Sequence, residues 1–405
     1  MAKTLSPDLL TAQQAGYPTG SYAPALRCIL TSGNPPAGNE ATYDYSFDPT
    51  VTTNTLLSVQ QIEERESDSG IILLWNGDRS LPDDLTGYYV DIGWGHNTAS
   101  GLLYNAANGA VSPRLWVTHH TDVSGAVKGS RPQIVTILVL QGVWSAVLNK
   151  ENVRLGESPY FRLALEGDSI AELENKTIYD VLKHLIKTAL PAQTGYAFTL
   201  DDLGDEDDGH INIDVPFPSG GEFMRTINAD APGRFQTYGE VINGLLELTG
   251  CAIIPRAGLA FKIIYPEKGD AYDKIYYSRV ADGHPFYEAE HRRLNGLTNH
   301  VEVYGYDPDT DNIIVGDWFD SDHYATAPIR PFTPADIQTA YTGTYMPVTE
   351  STYEEGLDSV LKCIARAAFY AWQIKDSVLG SRILIPMDAS VELCDNVATH
   401  DYRGT

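Results

Sequence analysis

Cysteine is scarce. Cys28, Cys251, Cys363 and Cys394 are the only four in 405 residues, and no two stand at zinc-finger or redox-motif spacing. A disulfide scaffold is excluded, and all four are expected as buried small hydrophobes of a chain folded in a reducing cytoplasm. Basic residues are also few. Lys and Arg number 28 against 54 Asp and Glu, a formal net charge of −26, which excludes binding of nucleic acid by phosphate neutralisation. No apolar run approaches the roughly 18 residues of a membrane-spanning helix. The opening "MAKTLSPDLLTAQQAGYPTG" has one Lys, no apolar core and no small-residue cleavage pattern, so no secretory signal is expected. No internal repeat is visible at a period of about 20–50 residues.

Catalytic signatures are missing too. HExxH, the P-loop, GxSxG and a glycine-rich dinucleotide turn do not occur. The nearest approach to a nucleophile elbow, "GDSIA" at Gly167–Ala171, lacks the last glycine and a preceding apolar strand. "WVTHHTD" brings His119, His120 and Asp122 together, but on a strand only His120 and Asp122 share a side, and two ligands make no zinc site. "DPDTDN" sets Asp307, Asp309 and Asp311 at the alternate spacing of a calcium loop. Its sixth position is Asn312 where glycine is required, and its twelfth is Trp318 where a bidentate Glu belongs, so a turn between strands is the better reading. The acidic run of 201–214, including "GDEDDG", reads as a solvated loop. No catalytic, cofactor-binding or metal-binding residue is therefore assigned, no cofactor is called for, and the chain is read as a non-enzyme. A carboxylate pair suited to glycoside hydrolysis could lie among so many acids, but no motif points to one.

What is present is mainly β. Residues 1–54, rich in Pro, Gly, Ser and Tyr, read as an extended N-terminal arm and irregular segment. From 55 to 150 short strands follow one another: "LLSVQQIEER", "SGIILLWN", "GYYVDIGWG", "PRLWVTHHTDV" and "PQIVTILVLQGVWSAVL". Residues 151–285 change in texture to a mixed α+β insertion. "NKTIYDVLKHLIKTAL" puts Ile178, Val181, Leu182, Leu185, Ile186 and Ala189 on one helical face, with Asn175 or Thr177 to cap and Pro191 to stop it. In "YGEVINGLLELTGCAIIPRAGLAFKII" Thr237 and Glu240 form a capping box. Val241, Ile242, Leu245, Leu246 and Leu248 make an apolar stripe, Gly250 ends the helix, and a hairpin turns on "PRAG". The last part, 286–405, returns to strands. It includes a long helix expected at 351–376, with a Ser351–Glu354 capping box and an apolar side of Leu357, Val360, Leu361, Ile364, Ala368, Phe369 and Trp372.

Several of these pieces together resemble the tail hub, or baseplate hub, proteins of tailed phages and related contractile machines. "VQQIEERESDSGIILLWNGDRSLPDDLTGYYVDIGWG" looks like that family's opening, and "SPRLWVTHHTDV" with "TILVLQGVWSAVLN" looks like the strands completing a tube-like barrel. "TIYDVLKHLIKTAL" and the 238–264 unit resemble its insertion domain. "LTNHVEVYGYD", the long helix and "ASVELCDNVATHD" resemble the second tube-like domain. The 307–350 stretch and the N-terminal arm have no counterpart in it. The resemblance implies two tail-tube-like β-barrel or sandwich domains flanking a mixed insertion, and a homotrimer at the tail tip or baseplate of a virion assembled in the host cytoplasm. It implies partners among the distal tail or tail tube protein, the tape measure protein and the fibre or spike proteins. Genomic DNA would pass without specific binding, repelled by a carboxylate-lined channel. A distal tail or tube protein, a carbohydrate-binding or glycoside-hydrolysing cell-surface β protein, and a secreted adhesin are the competing readings.

Overall fold

The computed structural model describes residues 3–14, 23–32, 42–47, 55–77, 79–85, 87–98, 101–125, 133–151, 177–201, 211, 237–247, 249, 251–265, 271–279, 284–291, 300–307, 310–319, 349–353, 357, 359–378 and 381–401. The chain divides into two compact units. The first is Met1–Val215 with Ile227–Tyr287 and Ile385–Thr405, the second Pro216–Thr226 with Glu288–Leu384. The fold is mainly β with a mixed helical insertion, as expected. No helix among the described residues is long and apolar enough to cross a membrane.

The first unit is built on a closed ring of strands. These are β1 (Ala23–Thr31), β2 (Thr42–Ser46), β3 (Thr55–Glu64), β4 (Ser67–Trp75), β5 (Tyr89–Thr98), β7 (Leu115–Gly125) and β8 (Gln133–Gly142), with β6 (Gly101–Leu103) attached to β5. Hydrogen bonding runs β1-β2-β3-β4-β8-β7-β5, and β5 returns to β1 to shut the barrel. The β1–β5 pairing extends from Ala23↔Asn97 to Thr31↔Tyr89.

This corrects the reading of 1–54 as an arm. Its apolar "ALRCIL" alternation supplies barrel strand β1, and Pro7–Gln14 is a short helix, α1. Gly, Pro and Ser around these segments disguised them, because the pairing partner lies far along the chain.

Period-2 alternation fills the interior. Cys28 and Leu30 of β1, Ile72 and Leu74 of β4, Val90 and Ile92 of β5, Leu115 and Val117 of β7, and Leu138 and Leu140 of β8 form one buried cluster with Tyr45 and Leu56. A bulge between Leu56 and Ser58 keeps β3 in phase, Val59 packing on the same cluster. The barrel is therefore a packed core and not a pore.

The insertion hangs on this barrel. α2 (Ile178–His184) is capped by Thr177, whose side chain accepts from the Asp180 amide while the Asp180 carboxylate accepts from the Thr177 amide. All six residues of its expected apolar face are buried. Pro191 does not stop it. A wider π-type turn, Leu185–Ala189, precedes a last turn, α3 (Leu190–Thr194), that holds the proline near its start. There the missing N–H costs little. The end comes at Gly195, φ +77°, whose amide donates to the Pro191 carbonyl at 2.8 Å.

α4 (Tyr238–Glu247) has the expected box, the Thr237 amide donating to the Glu240 carboxylate at 2.9 Å and the Glu240 amide to the Thr237 hydroxyl at 3.2 Å. Val241, Ile242, Leu245 and Leu246 are buried; Leu248 and Gly250 lie outside the described residues. The hairpin is β10 (Ala252–Arg256) with β11 (Ala260–Ile264), and the short β9 (Thr199–Leu200) adds to β11. An aromatic chain carries this unit onto the barrel. Trp116 of β7 meets Tyr196 edge-on at 5.7 Å, Tyr196 meets Phe198 at 6.0 Å, and Phe198 meets Phe261 at 5.8 Å. The Trp116 indole also donates to the Tyr196 hydroxyl at 3.1 Å.

Residues near the C-terminus return to this same unit, where β18 (Val397–His400) pairs in parallel with β12 (Lys274–Tyr277). They do not belong with the 286–405 stretch as expected. Cys28, Cys251 and Cys363 are buried; Cys394 is exposed in a turn at φ +68°, against expectation.

In the second unit β14 (His300–Asp307) pairs antiparallel with β15 (Asn312–Phe319) and parallel with β16 (Thr349–Tyr353). β13 (Glu288–His291) pairs with β17 (Ser381–Leu384). The helix expected from 351 begins nine residues later, as α5 (Val360–Val378), because Thr349–Tyr353 is taken up by the ladder with β14. Its buried face is also different: Cys363, Ala367 and Ala371 pack on Val301 and Val303, while Val360, Leu361 and Ile364 are exposed. The cause is close approach. A Cβ on Gly316 would stand 2.1 Å from the Ile364 amide nitrogen, and one on Gly305 2.3 Å from the Leu357 carbonyl oxygen. Where backbone meets backbone only small side chains fit beneath the helix, so the larger aliphatics turn outward.

Two predictions follow from the packing. Gly316→Ala forces the helix off the sheet and is expected to cost about 1–3 kcal/mol, read by calorimetry as earlier melting of the second unit. The second concerns Asp68, which faces inward on β4, 2% exposed. Burial, helped by the charge of Glu63, pushes its carboxyl up to about 7. A carboxyl raised on folding contributes stability that is complete below its unfolded value and lost as pH rises through its folded one. Asp68→Asn is thus expected to match the parent near pH 4 and to melt on the order of 5 °C higher at pH 8. A difference independent of pH would remove that assignment.

Candidate functional site

The candidates from sequence separate in the structure. His119, His120 and Asp122 lie on β7 past a bulge at Val117/His119 and are occupied locally. The His120 ring bonds the Asp83 carbonyl at 2.9 Å, Thr121 bonds His119 at 3.2 Å, and the Thr136 hydroxyl donates to Asp122 at 2.5 Å. They form a polar strand surface. "DPDTDN" is the hairpin turn of β14–β15: Asp307 pairs with Asn312, the Thr310 hydroxyl donates to Asp307 at 2.7 Å, and the Tyr306 hydroxyl donates to Asp311, itself at φ +53°. Asp309, Gly167–Ala171 and most of 201–214 lie outside the described residues.

Among the described residues of the first unit, two cavities bear on chemistry. One, of about 270 Å³, is lined by Lys3, Glu63, Trp94, Arg256 and Glu392 among others. It resembles a carboxylate site until the partners are followed. Arg256 grips Glu392 at 2.5 Å and reaches Asp201 at 3.6 Å. The Lys3 ammonium donates to the Val111 carbonyl at 2.5 Å, its pKa lowered by burial against the pull of Glu392 and Glu63. The acids at this cavity are countered by cations, so it is an ionic joint between the N-terminal segment, the β10–β11 hairpin and the 387–393 segment.

The second cavity, about 310 Å³, is lined by Gln13, Tyr276, His284, Asp388 and Ser390. Asp388 is fully engaged. Oδ1 accepts from Gln13 at 2.8 Å and from the Ser390 amide at 2.9 Å and hydroxyl at 2.5 Å, while Oδ2 accepts from the Tyr276 hydroxyl at 2.9 Å. Although burial opposes it, the Ser390 bonds hold the Asp388 carboxyl below its usual range. A carboxylate so held is a poor general acid.

Among the described residues one set of ligand-type side chains converges: His300, Glu302 and Asp317, with donor atoms within 4.8 Å of one another. Alternation puts His300 and Glu302 on the face of β14 away from α5, and the ladder sets Asp317 opposite Glu302. This cluster was missed in the sequence reading. Its signal was there: a hairpin turning on "DPDTDN" must bring 302 opposite 317, and the His-x-Glu spacing of "HVE" already shares a face. Among the described residues, apolar side chains stand exposed in several places. On the barrel exterior Ile71, Val139 and Val123 of β4, β8 and β7 are exposed, and on the second unit Val360, Leu361 and Ile364 are.

No known family model matches the chain, and no curated protein matches it in sequence. Solved structures do match. The tail protein from Neisseria meningitidis MC58 superposes with a TM-score of 0.54 at 10% identity, over 95% of this chain and 88% of that one. The 43 kDa tail protein of prophage MuSo2 from Shewanella oneidensis gives a TM-score of 0.46 at 10% identity, over 94% and 90%. At such identity the first match shows a shared fold.

The ionic joint yields a prediction. Arg256→Met leaves Glu392 without its cation beside Glu63 and is expected to destabilise the first unit by about 1–3 kcal/mol, between the values for exposed and buried pairs. Urea titration at low and high salt measures it, with the smaller loss at high salt.

Proposed function

We propose that this chain is a structural subunit of the tail of a tailed phage or tail-like particle, forming a trimeric hub at the tail tip or baseplate. The observation that carries the reading is the fold shared with the Neisseria tail protein over nearly the whole of both chains. In this proposal the two units each supply a tube-like wall domain, so that three chains place six around an axis and adapt a sixfold tube to a threefold tip. The distal tail or tail tube protein and the tape measure protein would contact one side, and the fibre or spike proteins the other.

Three features support it. The barrel interior is filled by Leu30, Ile72, Val90, Leu115 and Leu138, so any conduit runs between chains and not through one. Apolar side chains stand exposed on the barrel wall and on α5, which suits burial against neighbouring subunits. The formal charge of −26 per chain would let DNA slide past without being held. A non-enzymatic role agrees with the countered carboxylates of the cavities.

The experiment is location and copy number in an intact particle, by electron microscopy with labelled protein and by quantitative mass spectrometry. Three copies at the tip are expected. Six copies in a ring would transfer the chain to the distal tail or tube class. Release of sugar from host envelope by the purified chain, abolished by one carboxylate substitution, would replace the structural reading with a glycoside-hydrolysing one.

A further inference from the structure

We propose that His300, Glu302 and Asp317 form a zinc-binding site on the sheet of the second unit. His300 Nε2 lies 3.3 Å from Asp317 Oδ1 and 3.7 Å from Glu302 Oε1. Tetrahedral ligands at zinc bond lengths of about 2.0–2.1 Å stand roughly 3.3–3.4 Å apart, so the three donors close on an ion with side-chain shifts of under about 1 Å.

The surroundings aim these atoms. Thr349 of β16 bonds His300 Nδ1 at 3.0 Å. With that nitrogen donating its proton to the hydroxyl, the Nε2 lone pair points at the carboxylates. The Tyr304 and Ser351 hydroxyls both donate to Glu302 Oε2, at 2.9 and 3.1 Å, and Oε1 is the oxygen that faces His300. Phe319 stacks on the imidazole at 4.3 Å and 10°, which fixes the ring plane. All three strands of one sheet contribute, so the donors sit on rigid elements.

Electrostatics points the same way. Glu302 and Asp317 are direct cross-strand partners, like charges whose repulsion a cation held between them would relieve. An imidazole donor with two carboxylates suits zinc, whereas calcium and magnesium take oxygen donors throughout. His300 is 7% exposed, while Glu302 and Asp317 keep 13% and 16%, so the fourth position opens toward solvent and takes water. The site stands independently of any place in a particle.

The test uses the full chain, stripped with chelator and titrated with Zn²⁺ by calorimetry, with Co²⁺ as a visible-absorption probe of tetrahedral geometry. One ion per chain is expected. Asp317→Asn, nearly isosteric, should fold normally by near-ultraviolet circular dichroism and lose at least about 100-fold in affinity. Thr349→Val, which removes only the bond orienting the imidazole, should lose about 10-fold or more. Zinc uptake that Asp317→Asn and His300→Gln leave unchanged would overturn the proposal. So would no uptake above theirs, in which case His300 serves Asp317 by a plain hydrogen bond. Equal binding of Ca²⁺ would overturn the choice of zinc.

Discussion

The first unit depends on one strand returning to the start of the chain. β1 lies along β5 from Ala23↔Asn97 to Thr31↔Tyr89, and without that ladder the remaining strands would be an open sheet with two bare edges. Among the described residues, β2 pairs with β3 at Ser46↔Thr55, and β5 pairs with β7 at Tyr89↔Trp116 and Val90↔Leu115. Side chains meeting inside hold these joints together. Leu30, Ile72, Val90, Leu115 and Leu138 come from five strands and exclude water from the seams. A barrel closed by its contents has no room for a ligand, which moves function to its outer surface.

The insertion is secured to that barrel by unlike interactions at different points. Trp116, Tyr196, Phe198 and Phe261 make a continuous aromatic contact, Arg65 donates to the Cys251 carbonyl at 3.0 Å, and Arg256 of the hairpin binds Glu392 of the 387–393 segment. A ten-residue helix such as α4 is marginal alone, and its buried stripe shows that packing holds it. The same region gathers segments from both ends of the chain, with Gln13 bonding both Asp388 and the Ala389 amide. Carboxylates that would draw attention in a catalytic search here serve as ties.

In the second unit a three-stranded sheet has two unlike faces. Gly305 and Gly316 flatten one so that α5 lies almost on the strands. The other carries His300, Glu302, Asp317 and the hydroxyls of Thr349, Ser351 and Tyr304. A single alternation produces both, since residues beside Val301 and Val303 must point the opposite way.

Local signals were legible without coordinates. A cap at Asn175 or Thr177, the capping box at Thr237, the buried stripes of α2 and α4, the turn at 307–312 and the strands between 55 and 142 all follow from spacing within one or two turns of chain. Each depends on interactions among near neighbours in sequence. Trp144–Leu148, read as the end of a strand, is instead a helical turn. Tertiary structure alone decided the matters of long range. It recruited Ala23–Thr31 to the barrel, returned the 385–401 segment to the first unit, rotated α5 so that Ala367 is buried and Leu361 is not, and set Asp317 across from Glu302. The reason is common to all four: a residue's own pattern says which face it can bury, but the partner that buries it is chosen by whatever backbone comes close enough, and that proximity is a property of the folded chain.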